Sequence, residues 1–185
     1  MINKRLFFRK FIENPRRTGS IVQSSPFLVR EMVKPVDFKK AKVIVEFGAG
    51  TGVITKKILK KMNPNSLLLC FEVENSLCQE LKKRVKDERL IVISDGAEKL
   101  DHYLREHKID KVDYVISGLP LVVLPKEKVE AILDQVLKNL KKDGQFVQFQ
   151  YSLTSRKKFK KMFSKVRVCF TLLNIPPAFV YICRK

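Results

Sequence analysis

Residues 45–52 read V-E-F-G-A-G-T-G, with glycines at 48, 50 and 52 and an acid, Glu46, two positions ahead of the first. Glycine at every second position lets the backbone turn tightly and approach a ligand with no Cβ in the way. A helix is expected to begin at about Thr51, so its amino end points at whatever the loop holds. A nicotinamide-binding loop, G-x-G-x-x-G, would need glycine at position 53, where the sequence has Val53. Glu46 argues instead for a ligand with a cationic portion.

Two further acids fall where a strand–helix fold would bring them to the same ligand. Glu72 closes the run "SLLLCFE", 20 residues past Gly52, with Val73 beside it, where an acid can accept both hydroxyls of a ribose. Asp95, in "SDGAE", is placed to accept an adenine amino group, with the Gly96 and Ala97 backbone nearby. Each acid alone reads as a helix cap or a surface charge. Three acids at successive strand ends beside a glycine loop point to S-adenosylmethionine. The expected cofactor residues in this part of the chain are Glu46, Phe47, Gly48, Ala49, Gly50, Thr51, Gly52, Glu72, Val73, Asp95, Gly96 and Ala97, joined by Ser117 further along.

The elements that must position them follow from hydrophobic patterning. Short apolar runs at 42–47, 66–72, 89–94, 111–117 and 145–151 suit strands buried on both faces of a parallel sheet. Between them, residues 51–62, 75–86 and 126–140 repeat apolar side chains at helical spacing, most regularly Val129, Ile132, Leu133, Val136, Leu137 and Leu140. Strand–helix alternation implies right-handed crossovers and an α/β doubly wound, three-layer sandwich. Two final strand-like runs, 166–174 and 178–185, are separated only by Ile175-Pro176-Pro177, so they must pair antiparallel. A mostly parallel seven-stranded sheet closed by a C-terminal antiparallel hairpin is the Rossmann-like architecture of class I methyltransferases.

The fourth strand ends in "SGLPLVVLP" (117–125), where methyltransferases place the group being methylated. Adenine-N6 enzymes read NLPY there, using an amide to accept the target amine and a ring to stack on the base. The matching residues here are Gly118-Leu119-Pro120-Leu121, which lack both, so a flipped base would lose stacking and hydrogen bonds. Across nearly its whole length the sequence resembles the small bacterial phospholipid N-methyltransferases, relatives of the ribosomal RNA adenine dimethylases. The resemblance rests on "FFRKFIENPRRTGSIVQSSPFL", "VEFGAGTG", "SGLPL", "FVQFQY" and "NIPPAFVY". One departure is "SDGA", where the family pattern has a GDA-like stretch. The resemblance implies methyl transfer to the amine of phosphatidylethanolamine. It also implies that Gln23, Ser24 and Ser25 belong to a segment that lids the cofactor, although Ser25 before Pro26 is equally an N-cap pattern. Attack on a sulfonium methyl is an in-line displacement, for which positioning and desolvation supply most of the acceleration. Tyr151, at the end of the fifth strand, is the first candidate to line the head group, followed by Ser117 and the carbonyls of Gly118 and Leu119. Residues 174–177 are expected to border the acceptor pocket.

Charge limits the partners. Lys and Arg number 38 against 19 Asp and Glu, a net +19, so a polyanionic partner is expected, either a membrane surface or nucleic acid. Residues 1–17 hold six basic side chains around Phe7, Phe8, Phe11 and Ile12, the pattern of a helix lying in an anionic interface. This arm and the lid (1–34) are read apart from a methyltransferase domain (35–185). A second basic stretch, 155–167, carries Phe159, Met162, Phe163 and Val166 and is read as the helix between the fifth and sixth strands, its apolar stripe on the sheet. The four cysteines have no metal-ligand spacing and suggest a reducing compartment. No leader peptide and no metal are expected. The sequence thus describes a cytoplasmic, peripherally membrane-associated monomer acting on a phospholipid, with an RNA adenine N6-methyltransferase or a non-enzymatic binding protein as the alternatives.

Overall fold

The computed structural model describes residues 25–172, 174 and 176–185. The basic arm, Gln23 and Ser24 lie outside the described residues. Six helices and seven strands follow in the order α1 (Pro26–Val33), β1 (Val43–Phe47), α2 (Val53–Leu59), β2 (Leu67–Phe71), α3 (Asn75–Arg84), β3 (Leu90–Ile93), α4 (Leu100–Glu106), β4 (Val112–Ser117), α5 (Lys126–Asn139), β5 (Leu140–Gln150), α6 (Arg156–Met162), β6 (Lys165–Thr171) and β7 (Ala178–Arg184). A short 3-10 turn, Ala97–Lys99, leads into α4.

One sheet holds all seven strands in the order 3-2-1-4-5-7-6. β1 to β5 are parallel, and β7 runs antiparallel between β5 and β6. Both faces of the parallel strands are covered, which is why their sequences run apolar without alternation. On one face Val45, Phe47, Leu69, Val115 and Phe146 pack with Leu100 and Leu104 of α4, Ile132, Leu133 and Val136 of α5 and Phe159 of α6. On the other, Ile44, Leu68, Cys70, Ile116 and Val147 pack with Leu28 and Met32 of α1, Ile54 and Ile58 of α2 and Leu81 of α3. The three-layer sandwich with its closing antiparallel strands is the arrangement expected from the sequence.

Element ends differ from the sequence expectation where main-chain chemistry outweighs periodicity. α6 stops at Met162 and Val166 lies in β6, because Ser164 already pairs with Arg184 at the edge of β7. β6 ends at Thr171, not at Asn174. α5 gives way at Leu140, whose extended backbone starts β5, so Lys141–Gly144 form an irregularity inside the strand. There Val112 pairs with Leu140 and Tyr114 with Gln145, leaving an excess of residues on β5, and Asp143 takes a left-handed φ of 66°. A Cβ on Gly144 would collide with the Leu140 side chain and lie 3.0 Å from the carbonyl oxygens of Asp113 and Lys141.

The sheet reverses direction of strand order between β1 and β4, and in such folds ligands bind beyond the carboxyl ends of the strands at that switch point. The opposite edge is held by Asp113, whose carboxylate accepts the Lys42 and Val43 N–H groups at 2.9 Å each and pairs with Lys141 at 2.6 Å. Gly144→Ala should lower unfolding free energy by about 1–3 kcal/mol, the usual cost of forcing an extra methyl into a packed site. Urea denaturation measures it; a loss below a few tenths would show that the bulge yields freely.

Candidate active site

At the carboxyl edge the strand tips are tied together by backbone hydrogen bonds. The Gly48 N–H donates to the Phe71 carbonyl at 2.8 Å, Glu72 N–H to Ile93 at 3.0 Å, and Gly118 N–H to Phe47 at 2.8 Å. Gly48, Gly50 and Gly52 all take left-handed φ values of 74°, 52° and 79°, which side-chain-bearing residues rarely adopt. Their surroundings differ. A Cβ on Gly48 would meet the Leu119 side chain at 3.0 Å and one on Gly52 would collide with Leu81, whereas a Cβ on Gly50 would have no atom of the described residues within 4 Å. The loop therefore packs down at its two ends and leaves bare backbone facing open space at its middle.

The three acids sit at the three tips, each held by a defined partner. Glu72 accepts the Gly50 N–H at 2.9 Å on one oxygen and the Glu74 N–H at 3.0 Å on the other. A carboxylate offers about four lone-pair sites, so each oxygen keeps capacity for a sugar hydroxyl. Asp95 accepts the Gly96 N–H at 2.6 Å and the Tyr103 hydroxyl at 3.2 Å. Burial first, and then Asp95 beside it, raise the Tyr103 phenol above its ordinary value. Val73 stands out next to Glu72, and Ala97 is buried at the start of the turn into α4.

Glu46 is fully buried on the α2 side of β1. Its Oε2 accepts the Thr55 hydroxyl at 2.7 Å and the Cys70 thiol at 3.1 Å, while Oε1 has no partner among the described residues. Burial pushes its pKa up from 4.5 to about 7, against the opposing pull of the Thr55 and Cys70 hydrogen bonds. Oε1 is thus the atom left for a cationic group.

On the acceptor side Ser117 is buried, and its hydroxyl accepts the Leu119 N–H at 3.3 Å. A Cβ on Gly118 would lie 3.0 Å from the Gly48 carbonyl oxygen, so the β4 tip and the glycine loop approach closely. The Leu119 carbonyl, expected to face the acceptor, accepts the Gln148 side-chain amide at 2.9 Å. Leu121 is buried in the apolar core. Tyr151 is partly buried and packs edge-on against Phe149 at 5.6 Å. Burial raises its phenol pKa and a hydrogen bond with Asn174 opposes the rise. Asn174 in turn accepts the Ser25 N–H at 3.1 Å and donates to the Pro176 carbonyl at 2.7 Å. Ser25 also caps α1 by accepting the Leu28 N–H at 3.2 Å.

Thr55, Tyr103, Gln148 and Gln150 carry roles that the sequence reading did not assign. Their signal was polarity in the wrong place: "FVQFQ" puts Gln148 and Gln150 at buried positions of an otherwise apolar strand. Neither amide atom of Gln150 has a partner among the described residues.

Ordinary dinucleotide folds lack a seventh strand running backwards between the fifth and sixth. That inserted strand, together with a glycine loop after β1 and acids at the β2 and β3 tips, defines a class I S-adenosylmethionine-dependent methyltransferase. The residues fit that cofactor: open space over Gly50, acids at the β2 and β3 tips, and an unpartnered buried oxygen on Glu46. The sequence profile of the family described as "Ribosomal RNA adenine dimethylase" matches residues 10–168. An ornithine lipid N-methyltransferase of Singulisphaera acidiphila is 31% identical over 181 residues, 97% of this chain and 94% of that one. Ribosomal RNA small subunit methyltransferase A of Mesomycoplasma hyopneumoniae is 27% identical over 69% of this chain, but that match spans only 44% of its own length. Among solved structures, a precorrin-6y C5,15-methyltransferase from Geobacter metallireducens aligns with a TM-score of 0.71 at 15% identity, over 90% of this chain and 93% of that one. An rRNA methylase from Streptococcus thermophilus aligns at 0.63 and 18%, over 90% and 98%. These two share the fold. The chain belongs to the ribosomal RNA adenine dimethylase family, as a relative of its lipid N-methyltransferases, and its cofactor is S-adenosylmethionine.

Gly50→Val should abolish cofactor binding by filling the open space above the loop; unchanged affinity by calorimetry would remove the assignment. Glu46 gives a pH signature. Because its native pKa lies above the unfolded value, the stability it contributes is complete below pH 4.5 and is lost as pH rises through about 7. In the cofactor-free protein this amounts to a loss of about 3 kcal/mol. Glu46→Gln should flatten that fall in urea titrations between pH 5 and 8, and an unaltered slope would show that Glu46 titrates normally.

Proposed function

We propose that this enzyme transfers methyl groups from S-adenosylmethionine to the amine of a membrane lipid of the phosphatidylethanolamine type. The observation that carries the reading is the loop after β4. A base-methylating site needs an amide and a stacking ring, and here position 118 is glycine, where a Cβ would lie 3.0 Å from the Gly48 carbonyl oxygen, while Leu121 is turned into the core. The reading is supported by the relative that acts, by name, on ornithine lipids, which matches over almost the full length of both chains.

S-adenosylmethionine supplies the electrophilic sulfonium methyl. The chain's own groups hold and orient. Glu72 and Asp95 bind the nucleoside end, and Glu46 Oε1 receives the ammonium. The incoming amine must arrive neutral, and its nitrogen gains positive charge on methylation. The aromatic face of Tyr151 and the carbonyl oxygens of Gly118 and Leu119 stabilise that charge. Gln148 fixes the Leu119 carbonyl, and Asn174 fixes Tyr151. Displacement needs no acid–base triad, since alignment and exclusion of water reduce the barrier.

The family profile itself supports a second reading, methylation of adenine N6 in ribosomal RNA. Radiolabelled S-adenosylmethionine offered with phosphatidylethanolamine vesicles, ornithine lipid vesicles or small-subunit RNA separates the two. Label in a lipid amine is the expected result. Label in RNA alone would overturn the proposal.

A further inference from the structure

Among the described residues six large apolar side chains are exposed: Phe27, Val73, Val122, Leu153, Phe170 and Leu172. All six lie at the carboxyl edge of the sheet. Val73 follows β2 beside the nucleotide acids and belongs to the cofactor half. The other five ring the acceptor half. Val122 follows β4, Leu153 follows β5, Phe170 lies near the end of β6 with Leu172 just past it, and Phe27 is two residues from Ser25, which is bonded to Asn174 in the β6–β7 connection. Their exposures are 37% for Val122, 44% for Leu153, 49% for Phe27, 53% for Phe170 and 70% for Leu172. Single exposed apolar residues need no explanation, but confinement of every one to a single edge does.

Charge is divided along the same edge. The cofactor half carries Glu72, Glu74, Asp95 and Glu98. The acceptor half, residues 25–30, 118–125, 151–158 and 170–178, contains no Asp or Glu of its own, and it includes Arg30, Arg156, Lys157 and Lys158, the last paired with Glu130 of α5 at 3.9 Å. Arg156 and Lys157 are exposed, three and four residues after Leu153. An acid-free apolar ring with basic residues beside it matches an anionic bilayer, whose head groups attract Lys and Arg while its hydrocarbon accepts the side chains between them. RNA fits less well. Three of the five side chains are aliphatic and present no ring for a base, and Phe170 is already packed on Phe179 at 4.9 Å.

We infer that the acceptor-side rim, built around Leu153, Phe170 and Leu172, is a membrane-docking face that sets the acceptor site directly on an anionic lipid bilayer. The inference rests on the lipid reading above and adds the surface by which the lipid is reached. It is independent of the basic arm.

Co-sedimentation of the full chain with phosphatidylglycerol–phosphatidylethanolamine vesicles tests it, using Leu153→Glu/Leu172→Glu. Both side chains are solvent-facing, so Tm and cofactor affinity should hold. The variant should bind vesicles at least about tenfold more weakly, while still methylating dihexanoyl phosphatidylethanolamine dissolved as monomers. Lys39→Gln, before β1 at the opposite edge, removes one positive charge and should leave vesicle binding intact. Vesicle binding by the double variant within twofold of the parent would overturn the inference. So would a selective loss of RNA binding or of self-association with vesicle binding retained. Failure of the parent enzyme to methylate the soluble lipid would instead sink the functional reading, and the sedimentation result would still decide the rim.

Discussion

The carboxyl edge depends on how closely the β1 and β4 tips approach. Gly118 donates to the Phe47 carbonyl, and a Cβ on it would lie 3.0 Å from the Gly48 carbonyl oxygen. With Gly48 also bonded to the β2 tip, three strands end in one plane of main-chain contacts. The glycine loop can then lie flat against its neighbours and still leave its centre bare. The same contact makes position 118 tight, since a side chain there would need the Gly48 carbonyl to give by a few tenths of an ångström.

Around this contact, several buried polar groups hold neighbouring elements in place. Thr55 and Cys70 fix the Glu46 carboxylate beneath α2, and Gln148 holds the Leu119 carbonyl. Asn174 joins α1, Tyr151 and the β6–β7 connection. Buried polar groups without partners are costly, and among the described residues one Glu46 oxygen and the Gln150 amide have none. Both lie at the carboxyl ends of strands, one beside each half of the site.

Much of this was legible in the sequence. The continuous apolar runs predicted a sheet covered on both sides, and the two closing runs with prolines between them predicted the antiparallel ending. The glycine loop, Glu72 and Asp95 could be placed because strand ends in a doubly wound sheet are fixed by topology. What the sequence concealed was pairing between side chains distant along the chain. That Leu119 would give its carbonyl to Gln148, or that Glu46 would face Thr55 and Cys70, depends on which face of each strand a residue occupies and on what lies opposite. Helix ends were also obscured. The apolar spacing continues from Phe159 to Val166, but the backbone of Ser164 is claimed by Arg184 before a further turn can form.

The position of β7 has a consequence for how the chain is made. It is later in sequence than both of its neighbours yet sits between them, paired to β5 over six residue positions and to β6 over seven. While synthesis proceeds, β6 has no strand to join, and the flank of β5 stays an unsatisfied ladder of donors and acceptors. The nascent protein must therefore leave one side of its sheet unzipped until β7 has cleared the ribosome and slid into the gap.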